Sequence, residues 1–330
     1  MIKKALYSLG GLLLATVLII TVYLFTALPD AGPVPEITVE GTHEQIERGK
    51  YLAYHVSVCI DCHSERDWSK FSGPLKEESY GMGGDVFDEN MGLPGTLYAK
   101  NITPTSIGNW TDGELYHIIT TGINKKGEPI FPFMPYVQYR YMDPDDVKAI
   151  IAYIRTLQPI EHEVPESSVN FPVNLIMRTI PEPPDPIERP SPKDVLAYGK
   201  YMTTIAACTE CHTPKEQGAP VEGMYMAGGF EFGMPGGTVR SSNITPHNET
   251  GIGLWTEEQF VQRFKMHDVP KDSLPDASSE GYNTIMPWQM YGGMKVEDLK
   301  AIYAYLQSLE SVDNKVVKFT PKNELTALNE

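Results

Sequence analysis

The 330-residue sequence predicts an all-α protein in which two tandem helical domains with long Gly/Pro-rich loops follow one N-terminal transmembrane helix. Three observations carry this reading. No charged residue lies between Lys4 and Asp30, the rest of the chain repeats itself in order, and the periodic stretches of both repeats have helical spacing without convincing strand alternation. A hydrophobic content of 41% excludes a multi-span membrane protein, and 27 basic against 43 acidic residues, net −16, excludes the basic footprint of a nucleic-acid binder.

Taken from the N-terminus, the apolar run Ala5 to Pro29 exceeds the roughly 20 residues needed to cross a hydrocarbon core. Lys3 and Lys4 precede it, while Asp30 and Glu36 follow, which places the N-terminus in the cytoplasm and sends the rest of the chain outside. A cleaved signal peptide is the alternative for residues 1–29. Its apolar region would be only about 7–15 residues long, and Phe25-Thr26-Ala27 is a poor cleavage match.

The body is duplicated. Gly49-Lys50-Tyr51 answers Gly199-Lys200-Tyr201, and Cys59-Ile60-Asp61-Cys62-His63 answers Cys208-Thr209-Glu210-Cys211-His212. Asn101-Ile102-Thr103-Pro104 then answers Asn243-Ile244-Thr245-Pro246, Trp110-Thr111 answers Trp255-Thr256, Met134-Pro135 answers Met286-Pro287, and Lys148-Ala149-Ile150 answers Lys300-Ala301-Ile302. Domains over 40–160 and 194–312 follow, joined by a Pro-rich linker over 161–193 and ending in a 313–330 tail. Nine prolines between Gln158 and Asp194 predict an extended, semi-rigid connector, with the apolar stretch Phe171 to Ile180 lying on a domain surface. Within the domains, Thr42 with Gln45, Thr111 with Glu114 and Thr256 with Gln259 mark helix starts. Asp143-Pro144, followed by Val147, Ile150, Ile151, Ile154 and Leu157, reads as a capped amphipathic helix, and Leu299, Ile302, Tyr303, Leu306 and Leu309 repeat it.

Cys-x-x-Cys-His is the attachment signature for c-type haem, two thiols bonding the porphyrin and the adjacent His ligating its iron. A zinc ribbon would need its Cys pairs about 15–20 residues apart, and a redox dithiol has no need of the His. Two matches at the same place in a duplicated helical chain, consuming all four cysteines, predict two covalent haem c groups on Cys59 and Cys62 and on Cys208 and Cys211, with His63 and His212 as iron ligands. A filled coordination sphere distinguishes electron transfer from catalysis, so the sixth ligand matters. Met134 and Met286 occur in register, each stiffened by a following Pro. Met142 and Met294 are also in register, but Met142 directly precedes the Asp143 cap in the geometry of a hydrophobic staple, which accounts for it by packing. His117 and His267 are not equivalent in the repeat. His43, His55 and His247 read as surface or capping residues. Trp110 and Trp255 either cover the cores or bond a haem propionate; Asn101 and Asn243 either bind a propionate or close an Asx turn.

In that order these motifs resemble the membrane-bound multihaem cytochrome c subunits of bacterial periplasmic dehydrogenases. The likeness runs from Glu47 to Leu157 and from Tyr198 to Leu309. It implies the class I cytochrome c fold in each half and the axial pairs His63 with Met134 and His212 with Met286. It also implies a non-catalytic role, carrying electrons from a dehydrogenase subunit towards a respiratory-chain acceptor. Those subunits commonly have three haem domains; this sequence has two. An acidic carrier should meet its acceptor through a basic patch on the partner. The competing function is a dihaem enzyme such as a peroxidase with one open site, in which one half would lack its Met-Pro; neither half does.

Overall fold

The computed structural model describes residues 2–277 and 281–327, so the last three residues of the tail lie outside it. The chain is mostly helical, beginning with one 25-residue apolar helix, Ile2–Thr26, that has no buried residue. Among the described residues it is the one helix long and apolar enough to cross a membrane.

Each half is built on two crossing helices. In the first, His43–Tyr51 starts at Thr42, whose side chain accepts the Gln45 N–H, and packs on Pro144–Ile154, which starts at Asp143 with Pro144 in its first turn. In the second, Val195–Ile205 packs on Val296–Gln307. Both crossings place a glycine against a carbonyl: a Cβ on Gly49 would stand 1.8 Å from the Ala149 oxygen, and one on Gly199 2.0 Å from that of Ala301. Only glycine permits that approach, which explains the matched Gly-Lys-Tyr triplets. The third helix of each half, Asp112–Thr121 or Glu257–Lys265, opens with a complete capping box, Thr111 with Glu114 and Thr256 with Gln259.

The repeat is one residue out of step between its glycine and its first cysteine, because Gly49 to Cys59 spans one position more than Gly199 to Cys208. The structure absorbs the extra residue as a π-helical turn over Leu52–Val56, closed by Ser57 N–H to the Leu52 oxygen at 2.8 Å. That turn delivers His55 to the other half, its Nδ1 2.8 Å from the Met290 carbonyl oxygen. His55 is therefore an inter-half contact and not a surface or capping residue.

Short antiparallel sheets, unexpected from the sequence, flank the helices: Val86–Phe87, Gly95–Tyr98 and Ser168–Val169 form one, Glu231–Met234, Gly237–Arg240 and Phe319–Pro321 another, and Lys215–Glu216 pairs Ala219–Pro220. Strands of two to four residues are too short to show an alternating pattern. The connector is also more tightly seated than its prolines suggest. Ser168–Val169 joins the first sheet, and Arg178 bonds the Leu24 and Leu28 oxygens at the end of the N-terminal helix, at 2.7 and 2.6 Å. Phe171 and Ile176, expected to lie down on a domain, are 77% and 54% exposed.

The halves share one hydrophobic core and exchange matched contacts. The Tyr201 hydroxyl donates to Asp146 of the first half (2.7 Å) and accepts from Asp143 N–H (3.1 Å); the Tyr51 hydroxyl donates to Asp298 of the second half and accepts from Lys295 N–H (3.0 Å). The surroundings of the two carboxylates differ. Asp146 also holds Arg48 at 2.8 Å and Arg189 at 2.6 Å, whereas Asp298 receives a second phenol, Tyr198, at 2.9 Å.

Candidate functional site

Each Cys-x-x-Cys-His motif forms one helical turn, Cys59–Cys62 or Cys208–His212. The turn is entered through a left-handed residue, Val58 at φ 45° or Ala207 at φ 52°. For β-branched Val58 this conformation is strained, and its recurrence at the equivalent position shows that the motif's geometry requires it. The turn closes identically in both halves, by Asp61 N–H to the Val58 oxygen and Glu210 N–H to the Ala207 oxygen, each 3.0 Å.

The imidazoles are held alike. His63 Nδ1 lies 2.6 Å from the Lys100 carbonyl oxygen and His212 Nδ1 2.8 Å from that of Ser242. A carbonyl can only accept, so Nδ1 carries the proton and Nε2 keeps its lone pair for a metal. Burial lowers both histidine pKa values, opposed by these hydrogen bonds, and keeps the rings neutral. No disulfide joins the four cysteines. Burial pushes Cys59 and Cys208 up to about 12, Cys211 up to about 11, and Cys62 higher still, so these are protonated thiols, unlike the thiolates of a dithiol redox centre. The carboxylate inside each motif is paired with a nearby cation, Asp61 with Arg66 at 3.2 Å and Glu210 with Lys215 at 2.6 Å.

Met134 and Met286 sit on equivalent partly buried loops packed against the core. In each the Met carbonyl accepts from the N–H two residues on, Tyr136 or Trp288, at 2.8 Å. The Met286 loop is also gripped from the other half: Ser72 Oγ donates to the Met286 oxygen at 2.6 Å and accepts from Trp288 N–H at 3.1 Å. Met142 and Met294 are 0% and 1% exposed and belong to the core. Two residues after Met134, the Tyr136 hydroxyl is buried with no hydrogen-bond partner in the protein, a polar atom left for a further group to satisfy. Neutral imidazoles with free Nε2, neutral thiols and that orphaned hydroxyl fit a c-type haem.

The asparagines are occupied elsewhere. Asn101 Oδ1 accepts from Thr103 N–H and hydroxyl while Nδ2 donates to Ile160 and His162 carbonyls; Asn243 makes the same bonds to Thr245 and donates to Thr250 and Val312. Both close Asx turns, which leaves no amide for a propionate. Trp110 packs partly buried on the core, and Trp255 is 36% exposed. Among the histidines outside the motifs, His117 lies buried in its helix, His267 stacks on Phe71 and Trp288, His247 bonds Thr250 and His43 is exposed. Sequence reasoning missed Lys100, Ser242, Arg66 and Ser72. Only the one-residue mismatch in the repeat signalled any irregularity at this site.

The donor set and the helix crossing of each half suit a c-type haem. Residues 196–310 match the Cytochrome c family and form a cytochrome c domain. Over 300 residues the chain is 26% identical to a gluconate 2-dehydrogenase cytochrome c subunit of Pantoea cypripedii, covering 85% of this chain and 63% of that one. It is 27% identical over 293 residues to a fructose dehydrogenase cytochrome subunit of Gluconobacter japonicus, covering 84% and 55%. A diheme cytochrome c-type protein of Cereibacter sphaeroides is 24% identical over 283 residues, covering 83% and 88%. The chain thus spans little more than half the length of the two dehydrogenase subunits. What the chain is similar to, then, is the cytochrome c subunits of dehydrogenases.

Proposed function

We propose that this chain is a membrane-anchored dihaem c-type cytochrome that takes electrons from a periplasmic dehydrogenase or another membrane donor and delivers them to the respiratory chain. Domains over 40–160 and 194–312 each hold one haem, through Cys59, Cys62 and His63 or through Cys208, Cys211 and His212, with Met134 and Met286 completing the iron ligation. When bound, the groups supply one-electron Fe(III)/Fe(II) chemistry. The chain's part is to fix neutral imidazoles through Lys100 and Ser242, to hold the Met loops and to exclude water.

The observation that carries this reading is the meeting of the two attachment motifs. Ser57, two residues before Cys59, donates its hydroxyl to the carbonyl of Ile205, three residues before Cys208, at 3.0 Å in the buried interface. Two cofactors anchored back to back suit a relay, whereas a peroxidase needs one open site and both halves here keep a Met loop. The N-terminal helix anchors the body on the periplasmic side of the inner membrane, and the net charge of −16 favours an acceptor with a basic patch.

The test is the intact mass and spectrum of the matured protein. We expect two added haems, no alkylatable thiol and a ferric Met-to-iron charge-transfer band that Met134→Ala and Met286→Ala each reduce by about half. A single added haem refutes the dihaem reading, and rapid carbon monoxide binding by the wild type supports the enzyme instead.

A further inference from the structure

The connector between the halves contains an eleven-residue stretch, Asn170 to Ile180, without a single carboxylate in a chain of net charge −16. Its one charge is Arg178, and acidic residues resume at Glu166 on one side and Glu182 on the other. The stretch holds a short helix, Val173–Ile176, and a following 3-10 turn, Met177–Thr179. Met177 is buried beneath it, while Phe171 and Ile176 project into the surroundings.

Arg178 fixes where this happens. Its Nε and Nη2 donate to the carbonyls of Leu24 and Leu28 at 2.7 and 2.6 Å, and its guanidinium lies 4.9 Å from the Phe25 ring centroid. Carbonyls at a helix C-terminus lack intrahelical partners, and a long cation suits them well. From Ala5, the first residue after the lysines, to Leu24 is 20 residues, which at about 1.5 Å each rise about 30 Å, the thickness of a hydrocarbon core. With Lys3 and Lys4 at the inner boundary, Leu24 stands at the outer one. The other end of the stretch is tied to the body, because Asn170 bonds Glu89 at 2.6 Å and Ser168–Val169 completes the first sheet.

We infer that residues 171–180 are a second membrane contact, lying in the outer head-group layer with Phe171 and Ile176 turned into the lipid. The inference rests on the anchor reading and deepens it: the body does not swing from a single helix but is seated against the bilayer. A stretch free of carboxylates, with an exposed aromatic and aliphatic residue and a single cation, Arg178, at the hydrocarbon boundary, is the composition expected of that layer. The occupant is the phospholipid of the outer leaflet.

The experiment uses the full haem-loaded chain, whose native cysteines are consumed, in vesicles of phosphatidylethanolamine and phosphatidylglycerol. Single variants Phe171→Cys, Ile176→Cys, Leu18→Cys and Val317→Cys are reacted with a charged, membrane-impermeant maleimide. Val317 is the water-exposed reference at 62% exposure, between the values of the two test sites, and Leu18 reports the anchor. Phe171→Cys and Ile176→Cys should react about tenfold slower than Val317→Cys, with Leu18→Cys slower still. Reaction at the Val317 rate while Leu18 stays protected overturns the seating and leaves the anchor standing. Reaction of Leu18→Cys at that rate overturns both. Protection that appears only after membrane proteins are added assigns the face to a protein partner and also overturns the inference.

Discussion

Replacing Gly49 with alanine should force apart the helices His43–Tyr51 and Pro144–Ile154. The new Cβ would lie 1.8 Å from the Ala149 oxygen, 2.4 Å from its carbon and 2.9 Å from Tyr153 Cβ, against ordinary contacts of 3.4–4 Å. Nothing flexible can yield, since the nearest obstacle is backbone, so the crossing must open by roughly 1.5 Å along a face that buries Val147, Ile150, Ile151 and Ile154. Overpacking a core costs about 1–3 kcal/mol when side chains can adjust, and a backbone obstacle puts this case at the upper end, about 3 kcal/mol. At about 3 °C per kcal/mol for a unit of this size, thermal unfolding of the haem-loaded protein followed by circular dichroism should fall by about 10 °C. Gly199→Ala, 2.0 Å from the Ala301 oxygen, should behave alike. If both variants melt within about 2 °C of wild type, the close crossing is not what holds each half together.

Met142→Ala, emptying a site that is 0% exposed, should cost about 2–5 kcal/mol in urea unfolding yet leave the charge-transfer band intact; loss of the band would make Met142 the ligand. Tyr51→Phe should cost about 2 kcal/mol, because Asp298 keeps only Tyr198, while Tyr201→Phe should cost less, because Asp146 keeps Arg48 and Arg189. Equal losses would show that the two carboxylates are equally supported. Burial raises the Asp85 carboxyl from 3.8 to about 6, against the pull of Arg66. Protonation therefore favours the folded state, and the contribution is present at low pH and lost as pH rises through the window from 3.8 to about 6. Asp85→Asn should accordingly exceed wild-type stability at pH 7, with the gap closing towards pH 4; a gap that does not change with pH removes Asp85 from the account.

What the sequence discloses here is what short range determines. The capping boxes at Thr111 and Thr256 and the Asp143-Pro144 start need only residues three or four apart, and the Cys-x-x-Cys-His turn is a local unit. The left-handed Val58 and Ala207 were hidden because neither residue type advertises that conformation. The π turn over Leu52–Val56 could have been found, since the repeat's spacing slips by one residue there. Contacts such as Tyr51 with Asp298, Ser57 with Ile205 and Ser72 with Met286 join residues over a hundred positions apart, and no periodicity records them. The Asx turns of Asn101 and Asn243 were already among the local alternatives, but the distant Ile160 and Val312 carbonyls that occupy their amides were not visible, and the connector looked free until Arg178 was placed against Leu24.

The exchanged bonds, Tyr51 to Asp298 and Tyr201 to Asp146, are reciprocal in the way that contacts across a symmetric homodimer are: the patch on one copy meets the same patch on the other. In a homodimer every substitution appears twice, so an asymmetric surface is unreachable. Within a single chain that restriction lapses. Arg48 faces Asp146 where Tyr198 faces Asp298, and the first half alone carries the inserted turn with His55. In the dihaem cytochrome proposed above, a single chain would therefore permit an ordered pair of centres, distinct in surroundings and presented to partners in one direction, where a symmetric pair would offer electrons no preferred way through.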